Sequence, residues 1–456
     1  ASRGGQWRRV YEGQAHVIVG ARSAVFAPAP RLGVIVIDEE HETSFKQDST
    51  PRYHARDVAV MRARLEEIPI LLGSATPSLE SWHNVQRGAY TLLSLPQRVL
   101  DLPLPPVHLV DMRYQVRKGR PPILGEALLQ AMRDSLKREE QIILLLNRRG
   151  FATHVHCPSC GHVENCKFCD LALTFHRSRD VLLCHTCGYE QPPVQACAQC
   201  GQGAIRYQGL GTEKLEVEVR ERFPGAIVER MDSDTTRRSG SHTRLLTAFR
   251  KGEIQILLGT QMIAKGLDFP NVTLVGVINA DLALHVPDFR STERTFQLLS
   301  QVAGRAGRGP SGGRVLVQTF SPDHPCVSHV VTHDYRGFIE GELRHRQEHG
   351  YPPFHRMARI ILRGREEEPL RVFSQQVADA FAAGLQHFPE PEAASLRLLG
   401  PAEAPIYRIK GYYRHHFQIH APGPGLLHRL LRAVLPTLPR PAGIELALDI
   451  DPYNML

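Results

Sequence analysis

The sequence predicts an α/β fold: two units built on mainly parallel sheets, a cysteine-rich insertion in the second unit, and a C-terminal α+β domain of ferredoxin-like order. Three observations predict it. Short apolar runs alternate with helical patterns, as in doubly wound sheets. Eight of nine cysteines fall within residues 157–200 as C-x-x-C pairs. The tail reads β-α-β-β-α-β, the order of the split βαβ motif.

The elements follow in order. A short helix is expected around Trp7 to Tyr11, then a strand from His16 to Val19. "GVIVIDEEH", Gly33 to His41, reads as a strand over 33–37 that runs straight into acids. Its β-branched residues suit a buried parallel strand with carboxylates at the C-terminal end. A helix over about 54–66 follows the turn Ser49-Thr50-Pro51, and strand Pro69 to Leu72 leads into "GSATPS", Gly73 to Ser78. The Pro-rich stretch 94–107 reads as a linker. The second unit starts with helix 126–138 and strand 141–147, and the cysteine block interrupts it. It resumes with a helix near 212–222, strand 226–230, helix 241–250, strand 254–260, strand 272–278, helix 291–303 and strand 314–320. A helical segment near 324–349 ends at "GYPPF", 350–354. The tail has strand 356–363, helix 369–387, strands 395–399 and 413–420, helix 424–436 and strand 443–449. The implied parts are 1–100, 101–150, the insertion 151–205, 206–335 and the C-terminal domain 336–456.

A chain of 456 residues has room for several cores, and its 42% hydrophobic and 22% charged residues are those of a soluble globular protein. No apolar run reaches the roughly 18 residues of a membrane span. No secretion signal opens the chain, so a cytoplasmic, reducing setting is expected. The net charge of +8 favours a polyanionic partner.

In a reducing setting, clustered C-x-x-C pairs are metal knuckles. The pairs are Cys157/Cys160, Cys166/Cys169, Cys184/Cys187 and Cys197/Cys200. Tetrahedral Zn²⁺ takes two knuckles, so eight thiolates suit two Cys₄ sites. Consecutive and nested pairings both fit the spacing. Gly161, Gly188 and Gly201 each follow a second cysteine, where a tight turn asks for positive φ. His154, His156, His162, His176 and His185 lie nearby as surface or DNA-facing residues, since four knuckles fill both sites.

The acids of "DEEH" suit nucleotide hydrolysis. Asp38 would hold Mg²⁺ through water, and Glu39 would polarise an attacking water. Glu40 and His41 complete the nucleotide side. "GSATPS" has the small hydroxyl residues of a coupling hinge, with Thr76 at its centre. In "GTQMIAKGLDFPNVTLVGVINAD", 259–281, a Gly-rich turn at Gly266 can approach a phosphate or a nucleic-acid backbone, and Asp268 can cap or touch ribose. In "QVAGRAGR", Gln301, Arg305 and Arg308 stand at spacings that place them on one face of a helix, where two guanidiniums suit a γ-phosphate.

The ordered set "DEEH", "GSATPS", "LLNRRG", "GTQMIAKGLDFP" and "QVAGRAGR" resembles a superfamily 2 helicase. The cysteine block just after "LLNRRG", with "GARSAVFAP" and "YHARDVAVMRA", resembles more narrowly the PriA-type replication-restart helicases, along the whole chain. The resemblance implies two RecA-like lobes, the first incomplete, and a 3′-to-5′ ATP-dependent DNA helicase. Such an enzyme recognises stalled or recombined forks and starts primosome assembly. It implies ATP, Mg²⁺ and two Zn²⁺ as cofactors. Its partners would be DNA forks, single-stranded DNA, primosome proteins and single-stranded-DNA-binding protein, with the chain a monomer. It favours nested pairing: Cys157, Cys160, Cys197 and Cys200 at one site, and Cys166, Cys169, Cys184 and Cys187 at the other. On the nucleic-acid side it implies Arg22, Ser23, Phe45, Lys46, Arg52, Tyr53, His54, Thr76, Arg148, Arg149, Thr260, Gln261 and Lys265. The loop from Phe45 to His54 resembles the family's aromatic-rich loop, suited to stacking on unpaired bases. The tail stretch "YRIKGYYRHHFQIH", 407–420, offers either a basic stacking surface or a strand with one buried aromatic face.

One part of the family pattern is missing. No G-x-x-x-x-G-K-[ST] occurs in the sequence. The chain is therefore expected to be N-terminally truncated, to bind ATP poorly and not to unwind DNA alone. The alternative is a non-hydrolysing, zinc-containing module that binds DNA or primosome partners.

Overall fold

A computed structural model describes residues 3–97, 103–115, 122–146, 155, 157–167, 172–176, 180–184, 187–202, 212–231, 241–260, 263, 269–307, 309, 312–409, 411–439 and 441–455. The chain divides into two compact units: Ala1–Leu92 with Asp451–Tyr453, and Leu93–Ile450 with Asn454–Leu456. Among the described residues no helix is long and apolar enough to cross a membrane.

In the first unit, helix Arg3–Tyr11 forms as expected. Strands β1 (Ile35–Ile37) and β2 (Ile70–Leu72) pair in parallel, with Ile37 opposite Leu72. Helix Ala55–Leu65 turns Ala55, Ala59 and Ala63 inward, small residues at a spacing of four that allow close packing. Helix Leu79–Gln86 is an element beyond those the sequence predicts; Ser78 caps it by accepting the Ser81 N–H. The strand expected at His16 to Val19 is absent. Val17 and Val19 are 80% and 92% exposed, so their apolar side chains gain no burial, and among the described residues the stretch pairs with no strand. Val34, Val36 and Leu71 also stay exposed, which leaves apolar side chains of the β1–β2 pair uncovered.

The second unit begins with β3 (Val107–Asp111) and β4 (Gln141–Leu146). A small antiparallel insertion follows, with β5 (Thr174–His176), β6 (Val181–Leu183) and β7 (Glu190–Gln191). Then come β8 (Val228–Met231), β9 (Ile256–Gly259), β10 (Val272–Ile278) and β11 (Arg314–Thr319). Outside the insertion the order is β3-β11-β10-β4-β9-β8, parallel throughout. Both central strands, β4 and β10, are buried at every position, which is why they read as unbroken apolar runs. Alternate residues of β4 feed two cores. Ile142, Leu144 and Leu146 meet Leu128 and Met132 of helix Glu126–Lys137, while Ile143 and Leu145 belong with Phe296 and Val302 of helix Ser291–Ala303. Gly276 permits the close approach, since a Cβ there would lie 2.6 Å from the Leu144 side chain.

Two expectations change here. The Pro-rich linker stops short of Val107, where edge strand β3 starts by pairing with β11. The helical segment near 324–349 is two helices, Pro325–Val331 and Tyr335–Glu348. They break where His333 takes φ +53 and Asp334 caps the second helix by accepting the Gly337 N–H.

The C-terminal domain has β12 (Arg356–Gly364), β13 (Arg397–Ile409), β14 (Tyr412–Ala421) and β15 (Ile444–Ile450) in the order β13-β14-β12-β15, antiparallel. Helices Glu367–Leu385 and Pro424–Val434 pack into one core with Ile360, Phe417 and Ile419. This is the ferredoxin-like arrangement expected. β13 outruns its expected length because two register shifts, at Leu399/Ala402 and Glu403/Arg408, let it follow β14 further.

Candidate functional site: an acidic loop and paired zinc knuckles

The acidic loop grows from the end of β1. Gly73 N donates to Ile37 O at 2.8 Å and Glu40 N to Gly73 O at 3.0 Å, so the β1 and β2 ends stay joined beyond the sheet. Between these bonds the chain reverses at Glu39, whose φ of +49 is unusual for a side chain. The reversal leaves Asp38 exposed at the sheet edge, with Oδ1 accepting the Glu39 N–H at 2.9 Å. His41 is buried, and its Nδ1 lies 2.7 Å from the Ser74 hydroxyl. Ser74 Oγ also accepts the Thr76 N–H. The acidic loop and the Ser-Ala-Thr turn are thus one hydrogen-bonded assembly.

Glu40 has a different place from the nucleotide-side role expected of it. It is 1% exposed, and its carboxylate accepts from Ser78 N at 2.6 Å, Ser78 Oγ at 3.1 Å, Ser81 Oγ at 2.9 Å and Arg56 Nη1 at 3.0 Å. It holds the loop rather than facing solvent.

Burial also moves three residues away from a DNA-facing role. His54 is 6% exposed with its ring 4.3 Å from that of Tyr453, and burial together with the Arg56 charge lowers its pKa to about 3, so it is neutral. Lys46 is 5% exposed and donates to the Asp451 carbonyl at 3.2 Å. Thr76 is buried as well. Arg22 donates to the carbonyls of Ser44 and Lys46, bracing the aromatic loop from within. Ser23 is exposed, and Phe45, Arg52 and Tyr53 are half-buried, with Tyr53 edge-on to Phe26 at 5.0 Å.

In the second unit Thr260 follows β9, and its carbonyl accepts the Ile263 N–H. Gln301 sits in the last turn of helix Ser291–Ala303. The helical face expected for Gln301 and Arg305 does not form. The helix ends at Ala303 with Gly304 as cap, and Arg305 lies in the turn beyond it. Gly307, at φ +66, comes so close to Gly312 and Gly313 that a Cβ would lie 2.8 Å from Gly313 N. Arg148, Arg149, Gln261, Lys265, Gly266, Asp268, Arg308 and Cys169 lie outside the described residues.

The cysteines resolve the pairing. Sγ atoms of Cys157, Cys160, Cys197 and Cys200 lie within 4.8 Å of one another, as do those of Cys166, Cys184 and Cys187. The outer knuckles therefore meet, and Cys166 meets the Cys184/Cys187 knuckle. Three knuckles share one backbone pattern. Gly161 N donates to Cys157 O, Gly188 N to Cys184 O and Gly201 N to Cys197 O, each at 2.9 Å, while the first cysteine's N–H reaches the fifth carbonyl after it. Gly161, Gly188 and Gly201 have φ of +80, +78 and +71, as the sequence predicts. Converging thiols with no disulfide among them and an N–H from Gln199 to Cys197 Sγ fit tetrahedral Zn²⁺, which Cys157, Cys160, Cys197 and Cys200 would hold as thiolates.

The tail stretch favours its buried reading. His415 to His420 of β14 are buried, and burial lowers the His420 pKa to about 4. Stacking groups remain at the near end, where Arg363 and Arg365 lie 5.7 and 5.3 Å from the Tyr412 ring and Arg408 lies 4.9 Å from that of Tyr413. Sequence reasoning missed Arg56, Ser81 and Tyr453. "YHARD" contains Arg56, but nothing in the sequence pairs it with Glu40 or with a tyrosine 397 positions later.

Comparison with known proteins adds three family matches: "Primosomal protein N C-terminal domain" over residues 347–453, "PriA DNA helicase Cys-rich region (CRR) domain" over 166–192, and "Helicase conserved C-terminal domain" over 209–310. The replication restart protein PriA of Bacillus subtilis (strain 168) is 44% identical over 454 residues, covering 99% of this chain and 56% of that protein. Its counterpart in Treponema pallidum (strain Nichols) is 38% identical over 456 residues, covering 100% of this chain and 67% of that protein. The chain thus spans little more than half the length of the first of these relatives. Among solved structures, S. cerevisiae Dbp5 bound to RNA and ADP BeF3 matches at 12% identity and a TM-score of 0.33, over 67% of this chain and 57% of that one. That likeness is too low to argue from.

Proposed function

The chain belongs to the PriA family of replication restart proteins, and from that premise we propose that it forms the greater part of an ATP-driven DNA helicase that tracks 3′ to 5′. It acts at stalled or recombined forks and starts primosome assembly. Its partners are fork and single-stranded DNA, primosome proteins and single-stranded-DNA-binding protein.

The observation that carries this reading is the joined acidic loop and Ser-Ala-Thr turn. Asp38, exposed at the strand end, fits a Mg²⁺ held through water, and Glu39 beside it fits orientation of the attacking water. Mg²⁺ bound with ATP supplies neutralisation of charge on the phosphate oxygens. His41 and Ser74 pass a shift of the acids to the turn. Arg305, and Arg308 further on, act as the guanidiniums at the γ-phosphate. Gly266, Asp268 and Gln301 are assigned to nucleotide binding. The DNA side is carried by Ser23, Phe45, Arg52 and Tyr53, with Thr260, Gln261, Lys265, Arg148 and Arg149.

The sequence supplies this acidic half without a GK[ST] phosphate loop. Backbone N–H groups and a lysine around the phosphates provide most of the grip on Mg·ATP. The 456-residue chain alone is therefore a weak ATP binder that does not unwind DNA. Two zinc ions are held by Cys157, Cys160, Cys197 and Cys200 and by Cys166, Cys184 and Cys187 with Cys169 as the fourth inner ligand.

The test compares DNA-stimulated ATP turnover and strand separation in the protein of relative length with its Asp38→Asn and Glu39→Gln variants. Loss of turnover in both supports the reading. Wild-type turnover in either sinks its assignment.

A further inference from the structure

Arg56 is 4% exposed. Its Nη1 donates to Glu40 Oε2 at 3.0 Å and to Ser78 Oγ at 2.6 Å, its Nη2 to the Tyr453 hydroxyl at 2.9 Å, and its Nε to Asp57 Oδ1 at 3.0 Å. A planar guanidinium bonded in three directions has one orientation, which a lysine could not reproduce. Glu40 directly follows Asp38 and Glu39, and its own N–H is tied to Gly73 O. Where Glu40 is held, the two acids before it follow.

Tyr453 is itself fixed. It is 7% exposed, its ring lies against the His54 ring, and Lys46 bonds the carbonyl of Asp451 two residues earlier. Lys46, His54 and Arg56 all come from the stretch between the acidic loop and the first turns of helix Ala55–Leu65. The segment Asp451–Tyr453 therefore belongs to the first unit through contacts beside the acids.

We propose that Arg56 and Tyr453 are positioning residues for the acidic loop: the Tyr453 hydroxyl orients Arg56, Arg56 clamps Glu40, and Glu40 sets where Asp38 and Glu39 stand. This deepens the proposed role of those acids and rests on it for its consequence, but its geometry is testable without ATP.

The experiment is hydrogen exchange on the 456-residue chain and its Tyr453→Phe variant, read over peptides spanning residues 35–44. Phenylalanine keeps the ring against His54 and removes one buried bond. The amides of Glu40 and Glu42, bonded to Gly73 O and Glu39 O, should exchange about fivefold faster, the factor expected for one lost buried hydrogen bond. Amides of helix Ala55–Leu65 and of β10 should be unchanged. Arg56→Lys should act in the same direction and more strongly. Unchanged exchange at Glu40 in Tyr453→Phe overturns the proposal. Equal acceleration along helix Ala55–Leu65 also overturns it, because that is general loosening. In the protein of relative length, Tyr453→Phe should lower kcat for ATP about fivefold with little change in KM. A wild-type protein without turnover would sink the ATPase reading while leaving the exchange result standing.

Discussion

His41 Nδ1 and Ser74 Oγ stand 2.7 Å apart, which makes the acidic loop after β1 and the turn after β2 a single element. His41 is buried, so the bond is shielded from water. A double-mutant cycle with His41→Ala and Ser74→Ala should give a coupling energy of about 1 kcal/mol in denaturant unfolding of the first unit. Additive effects would mean that the two side chains do not support each other.

The nested knuckles make an asymmetric prediction for zinc content. Replacing Cys166 and Cys184 together should remove one ion, because both serve the inner site. Replacing Cys157 and Cys184 together should remove both. Consecutive pairing would give two ions lost in the first case, so metal analysis of these two proteins separates the schemes.

Two knuckle glycines should behave differently. A Cβ on Gly161 would lie 1.9 Å from the Phe320 carbonyl oxygen, at φ +80. A Cβ on Gly201 meets nothing within 4 Å, at φ +71. Gly201→Ala should therefore cost about 1 kcal/mol from backbone conformation alone. Gly161→Ala should cost well above that and lower zinc retention at the outer site. Chemical denaturation with parallel zinc measurement checks both.

His420 gives the C-terminal domain an acid-side dependence. Burial lowers its pKa from 6.5 to about 4, against the Gly350 carbonyl it bonds and in step with the Arg397 and His355 charges. The unfolded chain thus binds more protons between those values. Stability is full above about pH 6.5 and is lost as pH falls toward 4, by on the order of 3 kcal/mol. His420→Gln, which cannot titrate, should flatten the fall. Equal pH slopes for the two proteins would contradict a buried neutral histidine.

Much of this was legible because strong patterns were involved. β4 and β10 are unbroken apolar runs, and the knuckles carry their own spacing and glycines. The ferredoxin-like order followed from alternating strand and helix lengths. What failed depended on partners. The strand expected at His16 to Val19 has β-branched residues but pairs with no strand among the described residues, whereas β3 follows directly on a Pro-rich stretch and is held by β11 beside it. Spacing put Arg305 on a helix that Gly304 ends. His54 and Lys46 read as DNA contacts because charge and aromaticity do not report burial. The Arg56–Tyr453 bond joins residues too far apart in sequence for any local pattern to signal.

ATP turnover with single-stranded DNA present, measured on the 456-residue chain and on a protein of its relatives' length, tests the assignment of the acidic loop directly. Background turnover is expected for the chain, DNA-dependent turnover for the longer protein, and its loss on Asp38→Asn. DNA-dependent turnover by the chain alone, or an Asp38→Asn protein as active as wild type, would contradict it.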